Sequence, residues 1–274
     1  MYDTSESAAI YRNFLNWLFA TFGEDEAAFR QAMIARLRLR PGSRLLITGC
    51  GLGDDVLAVL DAFGDACQVH ACDLSASMVA GTEHALRARP ATQRAAVELS
   101  VCDAQALPFA DGSFDAAFHF GGINLFPDPK LGIAEMTRVV ADGGRVVFGD
   151  EGVAPWLKDT EYGRMVVANN PLWAADNLIA QLPFAAVNVN LSWLLGNCFY
   201  LIDFDKRCAG PNIDPDIPHI GWKGGTMRTR HAGRVEGITP QLKQRLYALA
   251  RRSGRSVHEL LEAAVTEKLT EHGG

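Results

Sequence analysis

The sequence predicts an α/β fold: a doubly wound, mostly parallel sheet with N-terminal helices and a small C-terminal helical appendage. Three observations carry this. Short apolar runs alternate with amphipathic stretches from residue 44 to residue 149. A glycine cluster, Gly49, Gly51 and Gly53, ends the first apolar run and opens a helix. Two alternating segments, 186–191 and 199–204, flank a turn short enough for an antiparallel hairpin.

The elements follow in order. Residues 7–22 read as a helix, with Ile10, Phe14 and Leu18 on one face and Trp17 and Phe22 beside them. A second helix is expected over 24–37, carrying Phe29, Met33 and Leu37, and stopped by Pro41-Gly42. Strands are expected at 44–48, 68–73, 97–101, 114–120 and 144–149, with helices near 54–63, 76–88 and 130–140. Such alternation predicts a doubly wound parallel sheet. The segments AVNVNL and FYLIDF add two strands.

Residues 208–233, rich in Pro, Gly and Asn, read as a linker. A compact helical pair is expected beyond it, in a tail spanning 234–274. Thr239 caps the first helix with Pro240 at its first position, and Leu242, Leu246 and Leu249 form the stripe. Ser256 and Glu259 make a capping box for the second, striped by Val257, Leu260, Leu261 and Ala264.

Composition bounds the class. The chain has 274 residues, 48% hydrophobic and 21% charged, ordinary for a globular core. No apolar run reaches the roughly 18 residues that span a bilayer, and the N-terminus lacks a basic segment followed by an apolar one. A cytoplasmic protein is therefore expected. The six cysteines form no CxxC pair and read as reduced core thiols, so no metal site is expected. Residues 227–274 hold nine Lys/Arg against five acids, while the whole chain is −6, so a basic tail sits on an acidic body.

The glycine loop reads Leu45-Leu-Ile47-Thr-Gly49-Cys50-Gly51-Leu-Gly53-Asp54-Asp55. Counted from Gly49, the third glycine of a dinucleotide fingerprint would fall on Asp54; counted from Gly51, on Val56. Neither register fits. Two carboxylates at the helix start also repel a pyrophosphate. The pattern suits a ligand without phosphate that carries positive charge, such as S-adenosylmethionine. Asp73 ends the second strand, where an acid can accept both ribose hydroxyls or simply cap the next helix. Asp103 ends the third, within reach of an adenine amino group.

Together these motifs resemble the class I S-adenosylmethionine-dependent methyltransferases, the broad group that includes the quinone-biosynthesis C-methyltransferases. The likeness extends to Leu107-Pro-Phe-Ala-Asp-Gly-Ser-Phe-Asp115, to Phe126-Pro-Asp-Pro129 and to Glu135-Met-Thr-Arg138-Val-Val-Ala-Asp-Gly143-Gly144. It implies a Rossmann-like sheet of seven strands, the last antiparallel, and a methyltransferase domain over 42–207. The helical cap at 1–41, rich in Ile10, Tyr11, Phe14, Trp17, Leu18 and Phe22, is expected to form part of a lid at the carboxyl edge or to pack on a sheet helix. The likeness further implies that Gly49, Cys50, Gly51 and Gly53 shape the methionine pocket, that Asp73 with Leu74 holds the ribose, and that Asp103 and Ala104 meet the adenine. Phe120 and Gly121, with Asn124 beyond them, would face cofactor and acceptor. One position departs: the family's acid two residues before the first glycine is Ile47 here, leaving Asp54 or Asp55 as substitutes.

Methyl transfer is a direct in-line displacement, for which the protein aligns nucleophile and methyl group. Asp150, Glu151 and Asn124 are the candidate catalytic residues, the two acids as bases or as helix caps. Tyr162, His219 and Trp222 are candidates for the acceptor pocket.

Residues 234–270 resemble a ribbon-helix-helix unit, which would dimerise and lay strands in a DNA groove. With Ile238 facing inward, Glu236 faces inward too, and the outward Val235 and Gly237 offer no hydrogen bonds to bases. The tail is therefore expected to serve packing, homodimerisation or covering of the active site rather than DNA reading. Three classes remain: a small-molecule methyltransferase, a DNA regulator on a methyltransferase fold, and a cofactor-binding relic without turnover.

Overall fold

The computed structural model describes residues 5–232 and 238–273 and divides into two compact units, Met1–Pro211 and Asn212–Gly274. The larger unit opens with α1 (Ser5–Phe22) and α2 (Glu26–Ala35). Then come β1 (Arg44–Thr48), α3 (Asp54–Phe63), β2 (Gln68–Asp73), α4 (Ala76–Leu86), the short α5 (Ala91–Ala95), β3 (Val97–Val101) and β4 (Phe114–Phe120). It continues with α6 (Pro129–Val139), β5 (Val140–Glu151), α7 (Glu161–Asn169), β6 (Ala186–Leu194) and β7 (Phe199–Lys206). The strands form one seven-stranded sheet in the order β3-β2-β1-β4-β5-β7-β6. Strands β1 to β5 pair in parallel, and β7 runs antiparallel to both neighbours. This is the Rossmann-like seven-stranded architecture that the resemblance implied, with the last strand reversed.

Local chemistry sets the element ends. Asp25 accepts the Ala28 N–H at 2.8 Å and starts α2 two residues later than the apolar pattern suggests. Asp128 caps α6 with Pro129 at its first position, where the missing N–H costs nothing. Strand β5 is longer than expected, because its first residue Val140 pairs with Phe114 and its last, Glu151, with Phe199. Asp150 and Glu151 therefore close the strand instead of following it.

Two apolar layers flank the sheet. Met33, Ile34, Val56, Val59 and Leu60 pack on one face with Ile47 and Phe118. Ile133, Met136 and Val139 pack on the other with Leu46, Phe148 and Tyr200. A third cluster joins Leu15, Leu18 and Phe19 of α1 to Val153, Trp173, Leu195 and Phe199, beyond the carboxyl ends of the strands. Helix α1 thus packs at the edge where a doubly wound sheet receives its ligands.

The smaller unit holds α8 (Met227–Ala232), α9 (Pro240–Ser253) and α10 (Val257–Glu271). Thr239 caps α9, and Ser256 and Glu259 form the capping box of α10. Helix α8 lies inside the stretch read as a linker. The segment Val235-Glu236-Gly237, on which the ribbon reading rests, lies outside the described residues. Ile238 is 42% exposed instead of facing a core; on α10 the expected stripe is half-buried at Val257 and Leu260 and exposed at Leu261 and Ala264. Among the described residues no helix is long and apolar enough to cross a membrane.

Candidate functional site

The carboxyl ends of β1, β2, β3, β4 and β5 place Thr48, Asp73, Val101, Phe120 and Glu151 along one edge. The glycine loop leaves β1 there. Cys50 N–H donates to the Cys72 carbonyl at 3.0 Å, and Gly53 N–H turns back to the Cys50 carbonyl at 2.9 Å. Gly49 has φ +63°, and a Cβ on it would stand 2.8 Å from the His119 ring. Gly53, at φ +90°, caps α3, and a Cβ on it would meet Thr82 at 3.0 Å. Both positions need glycine for conformation and for space. Cys50 serves through its backbone; burial pushes its thiol up to about 12.

Asp73 is tied to this loop. Its Oδ2 accepts the Gly51 N–H at 3.0 Å and its Oδ1 the Ser75 N–H at 2.9 Å. A carboxylate offers about four acceptor sites, so two such bonds orient it and leave others open. Leu74 beside it is 73% exposed, a large apolar side chain presented to solvent at the sheet edge. Asp103 is exposed and accepts the Gln105 N–H at 2.8 Å, with Ala104 half-buried next to it. Phe120 stacks on Phe199 at 6.0 Å, and a Cβ on Gly121 would meet nothing within 4 Å. The sequence-predicted loop residues therefore share one edge of the sheet.

Strand β5 ends in two carboxyls with different surroundings. Asp150 is fully buried. Its Oδ2 accepts the N–H groups of Gly122 and Asn124, at 3.1 and 2.6 Å, and its Oδ1 accepts that of Glu151 at 2.8 Å. It holds the β4–α6 loop in place. Glu151 is half-buried, and burial together with the neighbouring Asp150 pushes its carboxyl up to about 8. The buried Trp173 indole stands beside it, its N–H without a regular hydrogen bond. Asn124 donates through Nδ2 to the Glu151 carbonyl at 2.8 Å, which positions the end of the strand. Around this corner Trp173 packs on Phe199, Phe22 and Trp17, giving an aromatic wall.

The acids of the glycine loop are already partnered. Asp55 is buried against Arg30 of α2 at 2.6 Å, and Asp54 pairs with Arg12 of α1 at 2.6 Å. Neither is free to replace the acid missing at position 47, and Ile47 itself is buried in the core. Arg12 and Trp173 were not singled out from the sequence, because an apolar stripe marks a buried face without saying which loop it crosses. Tyr162 hydrogen-bonds the Gly196 carbonyl at 2.8 Å, at the β6–β7 turn. His219 and Trp222 belong to the smaller unit. Among the described residues no three His, Cys, Asp or Glu side chains are placed to hold a metal ion.

Comparison with known proteins adds to this geometry. Residues 46–148 match the family model described as a methyltransferase domain. The chain is 34% identical over 177 residues to a demethylmenaquinone methyltransferase of Desulfitobacterium hafniense (strain Y51), covering 63% of this chain and 68% of that relative. It is 39% identical over 129 residues to a demethylmenaquinone methyltransferase of Beutenbergia cavernae, covering 47% of this chain and 49% of the relative. The chain thus spans about half the length of this second relative. Among solved structures, phosphoethanolamine N-methyltransferase 2 of Haemonchus contortus, in complex with S-adenosyl-L-methionine, superposes with a TM-score of 0.56 at 17% identity. That superposition covers 74% of this chain and 57% of the other, a likeness of fold.

Proposed function

This chain belongs to the class I S-adenosylmethionine-dependent methyltransferases, and we propose that it methylates a small molecule bound against the aromatic wall beside Glu151. Its cofactor is S-adenosylmethionine, which supplies an electrophilic methyl group when bound. The carboxyl edge fits such a group: bare backbone at the glycine loop, open space over Gly121, an exposed Leu74 and an oriented Asp73. Gly49, Cys50, Gly51 and Gly53 would line its methionine end. Asp73 would hold the ribose, and Asp103 with Ala104 the adenine. The single observation that carries the reading is the bond from Gly51 N–H to Asp73, which fixes the acid against the glycine loop with acceptor capacity to spare.

Glu151 is the residue we assign to remove a proton from the acceptor; Asp150 and Asn124 position it. An acceptor with an acidic hydrogen and a flat apolar body suits both the base and the wall. Demethylmenaquinone, for which the relatives are named, is the first to try, in the reduced form that carries hydroxyl protons. The work is assigned to the cytoplasm, and the acidic body and partnered loop favour catalysis over DNA binding. A second copy is the partner assigned to the smaller unit: α9 carries Lys243, Arg245, Arg251 and Arg252 without an acid, whereas α10 carries four glutamates against Lys268. Helices of opposite sign with uncovered apolar stripes suit a two-fold pairing.

Calorimetry tests the cofactor reading. Asp73→Ala should weaken S-adenosylhomocysteine binding by roughly 1.5–3 kcal/mol, the scale of hydrogen bonds to a charged group. Unchanged affinity in a folded variant would remove Asp73 from the site.

A further inference from the structure

We propose that Arg12, carried over the glycine loop by α1, holds the carboxylate at the amino-acid end of the cofactor. The inference rests on the cofactor reading above. The amino-acid end carries a carboxylate and an ammonium, next to a sulfonium. Asp73 makes the loop surroundings acidic, which suits the two cations and leaves the carboxylate needing a positive partner; Asp54 and Asp55 are neutralised by Arg12 and Arg30. Ile47 contributes no polar group at the end of β1.

Helix α1 lies against the loop. The Tyr11 ring is within 3.7–4.0 Å of a Cβ built on Gly51, and the next residue, Arg12, reaches Asp54 at the first position of α3. Two arginines approach this helix start, and their surroundings differ. The Arg30 side chain is 9% exposed and is spent on Glu26 and Asp55. The Arg12 side chain is 38% exposed, and among the described residues it hydrogen-bonds Asp54 at 2.6 Å, with Glu26 more distant at 3.7 Å. A guanidinium has five N–H donors in a planar fork matched to a carboxylate, so Arg12 can keep Asp54 and take a second carboxylate. In this way α1 becomes part of the cofactor site.

The test compares two ligands by calorimetry on the full-length protein: S-adenosylhomocysteine, and 5′-methylthioadenosine, which shares the nucleoside and thioether but lacks the amino-acid end. Arg12→Met should weaken the first about tenfold or more and leave the second within about twofold. Asp54→Asn separates binding from mere anchoring of α1, and should keep S-adenosylhomocysteine affinity within about twofold of the parent. The inference is overturned by unchanged S-adenosylhomocysteine affinity in folded Arg12→Met, by parallel loss of both ligands, or by Asp54→Asn reproducing the Arg12→Met loss. Should Arg12→Met fail to fold, Arg12→Gln is held to the same comparison. An unmodified protein that binds neither ligand overturns the cofactor reading and this inference with it. If the unmodified protein binds both equally well, only the Arg12 assignment falls.

Discussion

Burial raises both carboxyls at the end of β5. Three backbone N–H groups oppose the rise at Asp150, whereas the neighbouring Asp150 adds to it at the half-buried Glu151. A base must be ionised to work, so with its carboxyl raised to about 8 the methyl-transfer rate should climb as pH rises toward 8 and then level. Glu151→Gln should lower kcat/KM by about 10²–10⁴-fold and abolish that limb, read from the pH profile with a saturating cofactor. A limb that persists in Glu151→Gln would belong to the acceptor instead. The sign for stability is the opposite. A carboxyl raised above its unfolded value stabilises the fold in acid, and loses that contribution as pH passes up through about 8.

At the scale of elements, α1 distinguishes a cap from an ordinary surface helix. Leu15, Leu18 and Phe19 are buried against Val153, Trp173 and Phe199, while Trp17 on the next face is 41% exposed. Truncating a fully buried leucine costs about 2–5 kcal/mol through lost burial and the cavity left behind. Urea unfolding of Leu18→Ala should show a loss in that range. A loss below about 1 kcal/mol would mean that α1 is frayed from the sheet edge in solution and does not cover it. The apolar periodicity of this helix was legible in the sequence at Phe14 and Leu18. Covering the carboxyl edge was one of two expectations for these apolar groups, beside packing on a sheet helix; which loop the helix crosses was not legible, because periodicity reports a buried face and not its counterpart.

The whole molecule combines a well-packed sheet unit with a smaller helical one in which no residue of α10 is fully buried. Leu261, Val265 and Leu269 follow one another at helical spacing on α10, and Leu242 and Leu249 are uncovered on α9. A unit this small rarely supplies enough core by itself, which is why association is the expected remedy. Size-exclusion chromatography with light scattering should give the mass of a dimer, and Leu261→Glu with Leu269→Glu should give a monomer with unchanged S-adenosylhomocysteine affinity. A monomeric parent protein at all concentrations would rule the pairing out.

Fold class, strand order of appearance and the glycine loop could be read before any coordinates. They depend on local patterns: apolar runs of strand length, amphipathic stripes, and the three glycines before Asp54. The expected bounds of β1 to β4 coincide with the observed ones for the same reason, since each run is bracketed by turn residues. Other features depended on contacts between distant residues, which leave no local pattern. The pairing of Val140 with Phe114 and of Glu151 with Phe199 lengthened β5. Arg12 and Arg30 claimed Asp54 and Asp55 across 42 and 25 residues of chain. Three backbone N–H groups on its carboxylate distinguish Asp150 from Glu151, two acids that look alike in sequence. Ionisation and ion pairing depend on what surrounds a group in space, and only the tertiary structure supplies those surroundings.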